Sequence, residues 1–217
     1  MASIKYTYLS LGVAYEAVLE PFEISTFADF LPELGYVLSP EIPSRGFGQR
    51  IAGSGQLARK GSSEFTFDTW RHIWTIRGSN TEDITKEFEV IDNRLEEERE
   101  LRRLVSYYEF LSEASMKSES DPSEQISKWF VENPLLERMR NQIGEDVSLM
   151  GIRMVPRGSE PSTSKNFYDV KIEADPRNWS QYYVQVVFRN QNKKKVLEFA
   201  SKLPKNIENW IEAIERG

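Results

Sequence analysis

The chain has 217 residues, and 28 Lys+Arg against 34 Asp+Glu leave a formal charge of −6. An apolar share of 39%, with 12 Phe, 9 Tyr and 5 Trp, is enough to fill a core and excludes wholesale disorder. The absence of Cys excludes disulfides, a thiolate nucleophile and Cys-rich metal sites, and a lone histidine, His72, excludes two-histidine metal motifs.

The start, Met1-Ala2-Ser3-Ile4-Lys5, shows no secretory signal. No apolar run approaches the roughly 18 residues a membrane span needs. The expectation is a soluble, cytoplasmic protein with no membrane association. Tyr6 to Leu19 reads as a strand. Ser25-Thr26 can cap a helix over Phe27 to Leu38, with Pro32 placed to end or kink it. Residues 46 to 77 read as a meander of short strands turned by Gly53-Ser54-Gly55 and Gly61-Ser62-Ser63. Trp70, His72, Trp74 and Ile76 would then share one face of its last strand.

Thr81 to about Ser118 reads as one long helix capped by Asn80, with Glu82-Asp83 at the positive end of its dipole. Ile84, Phe88, Ile91 and Leu95 form its first stripe, and Leu101, Leu104, Tyr108 and Leu111 its second. The turn between, Glu96 to Arg103, is nearly all charged, with Glu98 and Arg102 as a favourable i,i+4 pair. Ser115 to Ser123 is the best linker candidate. Asp121-Pro122-Ser123-Glu124 is a capping box with proline at the first helical position. The helix that follows is interrupted by Pro134 and stopped by Gly144. Val147 to Val155, Phe167 to Glu173 and Tyr182 to Arg189 read as strands, and Asn192 to Ile214 closes the chain as helix, kinked or broken at Pro204.

Two places show the same sequence of events. Ile73 to Arg77 leads through Asn80 into Ile84, Phe88, Ile91 and Leu95, and Val184 to Arg189 leads through Asn192 into Val196, Ala200, Leu203 and Ile207. An offset of 112 residues aligns Arg77 with Arg189, Asn80 with Asn192 and every apolar position of the helix. A duplicated sheet-plus-helix unit would give that register, although any strand followed by an amphipathic helix shows similar spacing. The expected fold is α+β: antiparallel sheets with packed helices, in two halves (1–118 and 119–217, or one continuous domain) joined by the long helix. The order strand–helix–four strands–helix in the first half resembles the half-repeat of TATA-binding-type folds. That is a likeness of element order alone and implies no function.

Charge is unevenly distributed: −5 over residues 1–44, +4 over 45–81, −8 over 82–127 and +3 over 128–217. The basic block supplies the anion-binding candidates Arg45, Arg50, Arg59, Lys60, Arg71 and Arg77, interleaved with glycines that expose backbone amides. Its spacing is neither that of a P-loop nor a G-x-G-x-x-G opening a helix. Nucleic-acid binding would use these arginines with Trp70 and Trp74, but the acidic total disfavours it. Lys193-Lys194-Lys195 sits at a helix start, where the dipole disfavours positive charge and an anion contact would offset it. No pattern calls for a cofactor, a metal or a nucleophile elbow. The sequence therefore favours a non-catalytic binding or interaction module that self-associates with a copy of itself or a protein partner. Anion or nucleic-acid binding through 45–77 is the alternative, and a hydrolase using Asp and Glu comes third.

Overall fold

Aromatic and β-branched residues at alternate positions make the strands, and apolar residues three and four apart make the helices. A computed structural model describes residues 3–16, 24–39, 54–68, 71–99, 101–130, 134–145 and 147–216. The first part of the chain runs β1 (Ile4–Tyr15), α1 (Ile24–Phe30), β2 (Val37–Leu38), β3 (Ser54–Lys60), β4 (Ser63–Asp68), β5 (Ile73–Arg77) and α2 (Thr81–Arg99). The second runs β6 (Val105–Lys117), α3 (Pro122–Lys128), α4 (Pro134–Ile143), β7 (Gly151–Met154), β8 (Phe167–Asp175), β9 (Asn178–Asn190) and α5 (Lys193–Arg216). The fold is mixed α+β. All strands join one antiparallel sheet of nine, ordered β2-β3-β4-β5-β1-β6-β9-β8-β7.

The core lies on one face of this sheet. Phe27 of α1, Ile84, Phe88, Ile91 and Leu95 of α2, and Ile126 of α3 pack there. Val196, Ala200, Leu203, Ile207 and Ile211 of α5 complete the layer. From the strands come Leu9, Leu11, Val13, Phe65, Trp74, Ile76, Phe110, Val184 and Val186, all buried. The stripe expected over Ile84, Phe88, Ile91 and Leu95 and that over Val196, Ala200, Leu203 and Ile207 are therefore core. Their caps match too: Asn80 Oδ1 accepts from Asp83 N at 2.8 Å, and Asn192 Oδ1 accepts from Lys195 N at 3.3 Å. Asp121 caps α3 by accepting from the Ser123 and Glu124 amides. Among the described residues no helix is long and apolar enough to cross a membrane.

Several expectations are corrected. The long helix ends at Arg99, and after a 3-10 turn at Leu101–Leu104 the chain becomes β6, a central strand. Its buried side reads Tyr108, Phe110, Ser112, Ala114, with a serine in the apolar line, while apolar Leu111 points the other way. That exchange blurred the period of two, and Leu104, Tyr108 and Leu111 mimicked a helical stripe. No long helix joins two halves; β1 and β6 pair directly. Ser115 to Lys117 is strand, not linker. The first helix stops at Phe30, and Pro32 sits in a 3-10 turn ended by Gly35 at φ 83°. Pro204, by contrast, is carried inside an uninterrupted α5. His72 leaves the strand face altogether: it occupies a turn at φ 51°, and β5 begins at Ile73. Trp70, Arg45 and Arg50 lie outside the described residues, as do Gly46, Gly48 and Gly53.

Candidate functional site

Strand alternation sends every second residue to the face without the core helices, and this face is polar. Tyr8, Ser10 and Gly12 of β1 lie beside Thr75 and Arg77 of β5 and beside Glu109, Leu111 and Glu113 of β6. Next come Gln185, Val187 and Arg189 of β9, then Asp169, Lys171 and Glu173 of β8. The strands approach closely at Gly12, where an added Cβ would stand 2.5 Å from Thr75 Cγ2. Thr75 in turn shares a 2.6 Å hydroxyl hydrogen bond with Thr66.

Ion pairs occupy most of the face. Arg189 donates to Glu109 Oε2 through Nε at 2.9 Å and Nη2 at 2.6 Å, and through Nη1 to the carbonyls of Pro161 and Ser164. Arg153 grips Asp169 with two nitrogens at 3.0 and 2.6 Å. Lys171 meets Glu173 at 2.7 Å, and Arg177 meets Asp175 at 3.0 Å. Hydrogen bonds from Arg177 hold the Asp175 carboxyl below the usual carboxylate range, and the hydrogen bonds Arg153 donates to Asp169 hold its guanidinium up. Cations also cover tyrosines: Arg189 sits 4.2 Å from the Tyr107 ring centroid, Arg77 sits 5.2 Å from that of Tyr8, and Arg177 sits 5.6 Å from that of Tyr183. Burial and the neighbouring Glu113 push the Tyr183 hydroxyl up to about 12. Burial raises Tyr107 as well. Both are thus neutral hydrogen-bond donors at physiological pH.

The first-half side of the face holds a shallow hollow of about 370 Å³, lined by Tyr8, Ser10, Gln56, Thr66, Asp68, Arg71, Ile73, Thr75, Arg77, Glu109 and Leu111 among others. The candidate cations divide around it. Arg71 and Arg77 line it, with Arg71 3.9 Å from Asp68. Arg59, exposed on β3, turns its Nε back to the Gly61 carbonyl at 3.0 Å. Lys60 points to the helix side, 2.9 Å from Glu87 of α2 and over the Tyr36 ring. The four described candidates therefore form no single cluster. Among the described residues no group of three or more His, Asp or Glu could hold a metal ion.

Sequence reading missed Tyr8, Glu109, Arg153, Tyr183 and Arg189 as members of one surface. Their signal is the polar half of each strand's alternation, hidden at Glu109 by the reading of that segment as helix. Compared with the models of known families and with curated proteins, the chain matches none.

Proposed function

We propose that the protein is a non-catalytic binding module that works through the polar face of its sheet opposite the core helices. The observation that carries this reading is the hollow beside Arg77, set in a face whose polar side chains are otherwise fixed by pairing. Fixed pairs hold a recognition surface rigid and lower the ordering a ligand must induce. The pairing also weakens the nucleic-acid reading, since Arg153, Arg177, Arg189 and Lys171 each already sit on a carboxylate. A polyanion needs a continuous cationic track, and this face offers alternating charge.

A duplicated origin of the two halves forms part of this reading. β1 maps onto β6 at an offset of 99 residues, and β5 onto β9 at 112, with matching cross-strand register: Ser10 faces Arg77 as Glu109 faces Arg189. Chemical-shift mapping of the labelled full chain against a diverse set of small polar molecules tests the binding module. Shifts should gather at Tyr8, Thr75, Leu111 and Val187; shifts confined to the helix layer, or none, would remove it.

A second observation favours self-association. On α4, Leu135, Met139 and Ile143 stand 61%, 37% and 58% exposed at helical spacing. Two copies of α4 crossing antiparallel near Asn141 would set Met139 against Ile143 and exposed Arg138 near Glu145 of the other copy. Sedimentation equilibrium should give a dimer that Met139→Glu converts to monomer. A wild-type protein that stays monomeric at the highest attainable concentration removes the idea.

A further inference from the structure

The two halves of the open face treat equivalent arginines differently. Arg77 and Arg189 lie at or next to the ends of β5 and β9, each over a tyrosine of the neighbouring central strand, Tyr8 or Tyr107. Around Arg189 the donors are satisfied. Glu109 stands opposite it in register, and the segment between β7 and β8 adds the carbonyls of Pro161 and Ser164. Around Arg77 both features are missing. The residue opposite is Ser10, and β3 and β4 are joined by a tight hairpin at Gly61, φ 58°, that supplies no covering segment. Among the described residues Arg77 makes no ion pair, and its guanidinium lines the hollow.

We propose that the hollow binds a carboxylate, seated on Arg77 where Glu109 is seated on Arg189. The inference rests on the open face being the binding surface and names the chemistry one part of it takes. A guanidinium with free donors matches a carboxylate's two oxygens, and a charge-assisted pair of this kind is among the stronger hydrogen bonds available. The Ser10 side chain at the floor leaves the space that Glu fills in the other half. The Thr66 and Thr75 hydroxyls and the Tyr8 ring provide polar and aromatic contacts for the rest of the ligand. Asp68 and Glu109 also line the hollow, set against Arg71 and Arg189, and Glu64 stands opposite Arg77 across β4 and β5, without an ion pair to it among the described residues. Their charges keep an added carboxylate's affinity modest, so the site answers to the ligand's remaining contacts as well.

The experiment is a titration of the isotopically labelled full chain with succinate, with the neutral diamide succinamide, and with an acetylated, amidated Gly-Glu-Gly peptide. Succinate should give saturable shifts at the Arg77 side-chain NH and the Ser10 and Thr75 amides, and succinamide none there. If the peptide saturates the same signals at lower concentration, the carboxylate comes from a protein segment; if only succinate does, it comes from a free acid. Arg77→Gln, at an exposed position, should weaken binding about tenfold or more. Glu64→Gln should strengthen it, and Ser10→Glu, which installs the carboxylate of the other half, should abolish it. Succinate binding unchanged in Arg77→Gln, or no saturable shift at Arg77, overturns the proposal. If neutral molecules still shift the open-face amides in that case, the binding-module reading survives the loss.

Discussion

Trp74→Ala is expected to lower the free energy of unfolding by about 4 kcal/mol, read as a fall in the urea midpoint at unchanged slope. Trp74 is fully buried at the middle of a row of rings. It stacks on Phe65 at 5.5 Å and on Phe88 at 5.0 Å, while Phe65 continues to Phe27 and Phe88 to Tyr108. The row ties α1, β4, β5, α2 and the central strand β6 together, so removing its middle member leaves a cavity that five elements would have to close. Its indole N–H also donates to the Tyr15 hydroxyl at 3.3 Å, inside the core. Trp74→Phe keeps a ring in the stack and should cost clearly less than the alanine variant. A loss under about 1.5 kcal/mol for Trp74→Ala would mean the site relaxes and the row is not what braces this half.

The same residue shows what was legible in the sequence. Trp74 and Ile76 announce a buried strand face, and both are buried. The stripes of α2 and α5 were legible because each burial position is apolar and the caps are asparagines at the right place. β6 was not legible, because a strand at the centre of a one-sided sheet needs only half its residues apolar. Here Ser112 falls on the core side and Leu111 on the open side. Leu104, Tyr108 and Leu111 then supplied a false helical period. The hollow was half legible: Arg71 and Arg77 were named as candidates, and both line it. Glu109 and Arg189 come from segments far apart in sequence and meet only through the β6–β9 register, which no local pattern encodes. Lys60 drew attention as part of a basic run, yet its position on alternate sides of β3 from Arg59 commits it to Glu87 and the helix layer.

Lys193→Met is expected to destabilise the fold by about 3 kcal/mol, far more than a surface ion pair would. The lysine run at the start of α5 sits where the helix dipole opposes positive charge, a placement that costs a few tenths of a kcal/mol. Lys193 offsets this by reaching across to α2, where its ammonium lies 2.6 Å from the Asp92 carboxylate and 3.3 Å from the Asn93 side-chain oxygen, over the Phe88 ring. Asp92 is 2% exposed. Removing the lysine takes the ammonium away from a carboxylate shut off from water, so the desolvation of that charge is less fully offset. Changing both partners removes the charge together with its counterion, so Asp92→Asn with Lys193→Met should recover more than half of the loss. The four proteins of this cycle, unfolded in urea, give the coupling energy directly. Added salt should change it little, because the pair is shielded from solvent. A coupling below about 0.5 kcal/mol would place Lys193 among the ordinary surface lysines and leave the packing of α2 against α5 to apolar contacts alone.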